Sequence, residues 1–215
     1  FVIIGEPGIG KSAIAAWLCQ SRLDQVVGIH FCTRRNSRTL DPHEMVASLV
    51  AQLHARLPGF AEAVETRRPE QPRDRATDAF RELIVEPTRK LPTPERRQLI
   101  IIDSLDEADR RDGERVLDVL VTQAEDLPAW LRLVTTTRPE ARILDRIRRL
   151  STFELKADRP DNRADVAEYI DERLRAATLA GKVKGHAEAV AKRLGQKAAG
   201  NFLYARLMLD HLAEG

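Results

Sequence analysis

Gly5-Glu6-Pro7-Gly8-Ile9-Gly10-Lys11-Ser12 fits the pattern G-x-x-x-x-G-K-[ST], the phosphate-binding P-loop. Before it stands Phe1-Val2-Ile3-Ile4, a short apolar, largely β-branched run that reads as a buried strand. After it, Ser12 to Leu23 reads as a helix with Ala13, Ile14, Trp17 and Leu18 on one stripe. Strand, glycine loop and helix is the arrangement that lets backbone curl around phosphate oxygens, with loop N–H groups and a helix N-terminus facing the charge. The candidate nucleotide-binding residues are Gly5, Glu6, Pro7, Gly8, Ile9, Gly10, Lys11, Ser12 and Ala13. Lys11 has the reach and charge for the outer phosphates, and the Ser12 hydroxyl suits the shell of a Mg²⁺ ion.

Further along, Val26 to Cys32 reads as a second buried strand and Thr33 to Thr39 as a loop. Asp41-Pro42-His43-Glu44 carries a helix start: an N-cap acid, a proline at the first helical position and an acid in the first turn. Met45, Val46, Leu49, Val50, Leu53 and Leu57 give that helix its core stripe, and Pro58-Gly59 ends it. Residues 66–75 are charged and proline-rich and read as a surface loop. A helix is expected from Thr77 to Val85, then a loop from Pro87 to Pro94.

Gln98 to Asp103 is the strongest strand signal, four apolar residues in a row as in a parallel strand covered on both faces. A helix near Gly113 to Glu125, a strand at Leu131 to Thr137, a short helix near Ala141 to Ile147 and a short strand at Thr152 to Leu155 follow. Alternating strands and helices imply βαβ units and a parallel sheet. Past Lys156 the pattern is helical only: one helix capped by Asp161, a second around 184–195, and a third from Phe202 to Leu212, apolar on most faces and expected to be buried. The expected division is therefore 1–157 and 158–215, with no internal repeat.

In an open parallel sheet, ligands bind at the carboxyl ends of the strands. Asp103 ends an apolar strand, where a carboxylate can hold Mg²⁺ through the metal's waters. Asp106 and Glu107 follow within a turn of chain, and either can orient or deprotonate an attacking water. At the next strand end, Thr135-Thr136-Thr137-Arg138-Pro139 offers hydroxyls and a guanidinium able to sense a γ-phosphate.

The chain has 215 residues, 32% of them charged and 5% aromatic, enough for a large single domain or one domain plus a small second one. A net charge of +2 gives no case for nucleic acid or membrane as a main partner. Cys19 and Cys32 form no C-x-x-C or zinc pattern and read as small packed hydrophobes in a reducing compartment. The five histidines have no metal-ligand spacing. No apolar run is long enough to span a bilayer. The sequence opens inside a strand, as expected of a segment of something longer.

Taken in order, Gly5–Ser12, Leu99–Glu107, Val134–Pro139 and Gly200–Ala205 resemble the NACHT family of STAND P-loop ATPases. Asp103, Leu105, Asp106 and Glu107 match its Walker B pattern, Thr136 to Pro139 its sensor 1, and Gly200 to Ala205 its helical-domain motif. The resemblance implies a three-layer P-loop NTPase fold with a mostly parallel sheet, followed by a small helical domain. It also implies a cytoplasmic ATP/ADP switch with Mg²⁺, controlling self-association and signalling, as in defence, with effector and sensor domains outside this segment. Arg138 would report the γ-phosphate. Ser104 stands where many P-loop ATPases carry a catalytic glutamate, so turnover would be slow and rest on Asp106 or Glu107. Two alternatives are a kinase-type phosphotransferase, which phosphate transfer to a product would reveal, and a binding module propped by nucleotide without turnover.

Overall fold

The computed structural model describes residues 1–65, 74–108 and 113–214; the loop expected at 66–75 lies outside them save for its last two residues. Five strands, β1 (Val2–Gly5), β2 (Val26–Phe31), β3 (Gln98–Asp103), β4 (Leu131–Thr137) and β5 (Thr152–Leu155), form one parallel sheet in the order β2-β3-β4-β1-β5. The α/β expectation holds. The branched runs Val2–Ile4 and Ile100–Ile102 are buried, as apolar side chains pointing to both faces of a covered sheet must be. Ile29 pairs with Ile101 and Phe31 with Asp103 across β2 and β3, and Ile102 pairs with Thr135 across β3 and β4. That register sets Asp103 and the threonines of β4 at neighbouring carboxyl ends.

By contacts the chain divides into a larger unit, Phe1–Ile3 with Ser12–Phe153, and a smaller one, Ile4–Lys11 with Glu154–Gly215. In the larger unit, α1 (Lys11–Ser21) precedes β2, and α2 (Pro42–Arg56) covers it. Asp41 caps α2, its Oδ1 accepting from the His43 N–H at 2.9 Å. Gly28 leaves the gap into which α2 packs: a Cβ there would lie 3.0 Å from Leu49 Cδ2. The open edge of β2 is also blunted by α2. Gln52 accepts from the Ile29 N–H and donates to the Ile29 carbonyl, both at 2.8 Å, doing what a further strand would do.

Four local expectations need correction. On α1 the apolar stripe is rotated: Ala15 is buried beside Val26 and Ile101 with Leu18 against them, whereas Ala13 and Trp17 face solvent. Apolar residues all round that helix left its period undecided. Second, the helix expected to stop at Val85 continues. Here α3 (Phe60–Glu65) is followed by α4 (Ala76–Phe80), a π turn (Arg81–Val85) and α5 (Glu86–Lys90). The wider turn lets Pro87 sit at the start of a new helical segment, where its missing N–H does no harm. Third, the turn of chain expected to carry Asp106 and Glu107 is a short helix, α6 (Leu105–Ala108). After it come α7 (Val116–Gln123) and, beyond β4, α8 (Ala141–Arg146).

The smaller unit holds α9 (Pro160–Arg175), α10 (Ala177–Ala180), α11 (Ala187–Ala198) and α12 (Phe202–Glu214). Val166, Ile170, Leu174, Leu194, Ala205 and Leu209 are buried together in its core. The fourth correction falls on α12, which buries Ala205 and Leu209 but exposes Leu203, Leu207, Met208 and Leu212. One-sided packing cannot cover a helix that is apolar on most faces.

Candidate functional site

The glycine loop belongs to the smaller unit. Gly8 (φ 80°) and Gly10 (φ 107°) are in the left-handed region, a conformation that side chains resist and that the curled loop requires. Glu6 and Pro7 are exposed and Ile9 is buried as the loop's apolar anchor. The Lys11 side chain is buried, and its Nζ donates to Gly5 O at 2.7 Å and Glu6 O at 3.1 Å. Its ammonium is thus folded under the loop.

Ser12, the next residue, belongs to the larger unit. Its Oγ donates to Asp103 Oδ2 at 2.8 Å, which joins the serine after the glycine loop to the acid that ends β3 across 91 residues of chain. The same Oδ2 accepts from Ser104 Oγ at 3.0 Å, and Oδ1 accepts from Thr136 Oγ1 at 2.6 Å. Thr136 Oγ1 also accepts from the Ser104 N–H at 2.9 Å. These bonds hold Ser104 at φ 62°, a strained angle that turns the chain sharply out of β3 into α6. The Thr136 hydroxyl is therefore spent on Asp103.

The acids on α6 have different environments. Asp106 is 2% exposed; its Oδ1 accepts from the Arg138 backbone N–H at 3.1 Å, and Arg138 Nε lies 3.0 Å from Oδ2 as an ion pair. That approach is off the hydrogen-bond direction, so Oδ2 makes no proper hydrogen bond, as is also true of the buried Thr135 Oγ1. Glu107 is half-buried and its Oε2 accepts from the Arg34 N–H at 2.8 Å. Arg138 is thus brought to Asp106, not to Glu107.

The negative field of this cluster is felt by Cys32, whose N–H donates to Asp103 O. Burial, reinforced by Asp103, Glu107 and Asp106, pushes the Cys32 thiol up to about 12. Cys32 was legible as a packed hydrophobe, but its place beside three carboxylates was not.

In the smaller unit the curled glycine loop and its lysine suit phosphate oxygens, and in the larger unit a serine hydroxyl hydrogen-bonded to a buried aspartate suits Mg²⁺. Among the described residues no group of three or more His, Cys, Asp or Glu could hold a metal by itself. A magnesium ion would take its remaining oxygens from water and phosphate. No helix among the described residues is long and apolar enough to cross a membrane.

No curated protein matches this sequence. Residues 1–138, from the glycine loop through the acids to Arg138, match the family described as Nephrocystin 3, N-terminal. With more than half its length so matched, the chain belongs to the Nephrocystin 3, N-terminal family.

Proposed function

We propose that this chain is a NACHT-like STAND switch module: it binds ATP or ADP with Mg²⁺, hydrolyses ATP slowly, and thereby controls self-association of a larger cytoplasmic signalling protein. The observation that carries the reading is the Ser12–Asp103 hydrogen bond, because it unites the P-loop hydroxyl with a strand-end carboxylate. Lys11 and the loop N–H groups would hold the phosphates, and Ser12 with Asp103 would hold the ion. The ion, when bound, neutralises charge that develops on the phosphate oxygens.

The two acids of α6 take separate roles in this reading. Asp106 is occupied by Arg138 and serves as its counter-ion. Glu107 keeps one carboxylate oxygen outside its bond to Arg34 and is the better candidate to orient water. Arg138, held by one buried acid and half-exposed itself, would exchange that partner for a γ-phosphate.

The test is calorimetric titration of Mg-ADP and Mg-ATP into the full chain and into Lys11→Ala. Loss of a charged hydrogen bond to phosphate should weaken binding roughly 10- to 100-fold. Equal affinity in both proteins would refute the P-loop role. Glu107→Gln should leave binding intact and slow hydrolysis; hydrolysis at the wild-type rate would remove Glu107 as the water-orienting group.

A further inference from the structure

The phosphate loop and the start of α12 meet inside the smaller unit. Asn201 Nδ2 donates to Pro7 O at 3.0 Å, while Asn201 Oδ1 accepts from the Tyr204 N–H at 2.9 Å. One amide thus caps α12 with its oxygen and grips the loop with its nitrogen. Beside it the Leu203 N–H, a donor that a helix start ordinarily leaves without an intrahelical partner, donates to Gly8 O at 3.1 Å.

The fit is close on both glycines of the loop. A Cβ on Gly8 would lie 2.5 Å from Asn201 Oδ1 and 2.8 Å from Leu203 Cβ, and one on Gly10 would lie 3.3 Å from the Phe202 ring. Asn201 is braced in turn from α9, where Asn162 Nδ2 donates to the carbonyl of Gly200 at 2.7 Å.

Peptide geometry gives these bonds a direction. In a trans peptide the carbonyl and the following N–H point opposite ways in one plane. Pinning Pro7 O towards α12 therefore turns the Gly8 N–H away from it. Pinning Gly8 O does the same for the Ile9 N–H, which meets Glu6 O only at a long 3.4 Å. These N–H groups are the kind that receive phosphate oxygens in a P-loop.

We infer that Asn201 is a positioning residue: it aims the amide donors of the phosphate loop and makes the first turn of α12 respond when a nucleoside di- or triphosphate loads that loop. The inference rests on the nucleotide reading above and names the contact through which loading is passed to the helical unit. No bond is made or broken in it; one hydrogen-bonded linkage is tightened by an anion on its far side.

The test is Asn201→Ser in the full chain. Serine caps a helix about as well as asparagine, so the melting temperature should be nearly unchanged. It has no amide to reach Pro7 O. Without nucleotide, hydrogen exchange at the Leu203 amide should quicken about tenfold as Gly8 O is released, the loss of one hydrogen bond. Mg-ADP should bind about tenfold more weakly by calorimetry for the same reason. In the wild-type chain Mg-ADP should slow exchange over residues 202–206, and in the variant it should slow exchange in the loop alone.

A variant that binds Mg-ADP as tightly as wild type, with the same protection over 202–206, overturns the inference. A wild-type chain that binds neither Mg-ADP nor Mg-ATP refutes the nucleotide reading instead. The clamp is then judged on the ligand-free Leu203 exchange, where equal rates in the two proteins overturn it.

Discussion

The carboxylate of Asp103 accepts three hydroxyl hydrogen bonds, and the shortest comes from the buried Thr136. Thr136→Val keeps the shape of that side chain but withdraws the donor, leaving Asp103 Oδ1 and the Ser104 N–H each short of a partner. A buried polar group so abandoned costs about 1–3 kcal/mol, and urea unfolding should register a loss of that size; an unchanged midpoint would mean the pocket readjusts freely. Cys32 offers a second check. With its thiol pushed up to about 12, only about one molecule in ten thousand carries thiolate at pH 8, so Ellman's reagent should leave Cys32 unmodified until the chain unfolds. Equal labelling rates in buffer and in urea would contradict that environment. His30 gives a pH dependence. Burial lowers its pKa, against the opposing effect of its 2.8 Å bond to Thr39 O. The unfolded chain therefore takes up this proton first as the pH falls below about 6.5, so stability should drop from pH 7 towards pH 5. His30→Gln should flatten that slope in paired urea titrations at the two pH values.

Helix α2 announces itself in the sequence because its signals are local. Asp41, Pro42 and Glu44 start it, and the apolar stripe from Met45 to Leu53 has one possible face. Asp41→Ala should therefore cost about 1 kcal/mol, read from the thermal midpoint, and no change would mean that the cap is redundant. The strands were legible for the same reason, since branched runs such as Ile100–Ile102 suit a strand covered on both faces of an α/β sheet. The curled glycine loop after β1, the place of Asp103 at a strand end and the order of the acids were legible from spacing. What stayed hidden depends on partners distant in the chain. The short helix α6 follows a residue at φ 62° that is held by a threonine 32 positions on. The passage through Pro87 depends on a π turn that no propensity marks. The division of labour between Asp106 and Glu107 depends on Arg34 and Arg138, and the grip of Asn201 on Pro7 spans 194 residues. Except at the π turn, a contact between distant residues decides between options that local sequence leaves equal.

At the scale of the whole molecule, the switch reading makes self-association depend on which nucleotide is bound. In Mg-ATP the light-scattering mass of the longer protein should exceed that in Mg-ADP; equal masses would leave nucleotide binding standing but remove its proposed output. The strand order β2-β3-β4-β1-β5 has another consequence, in time. The strand of this segment that a ribosome makes before the other four is an interior one: Phe1 bonds Leu133 and Val2 bonds Ser151. At the usual pace of translation those partners emerge on the order of ten seconds later. Until then the nascent β1 has no place in a sheet, so the loop that follows it has no rigid strand to hang from. On the nucleotide reading, competence to bind phosphate should therefore arrive abruptly, once residues 131–155 have emerged, and until then β1 is the strand of this segment that a chaperone would need to shelter longest.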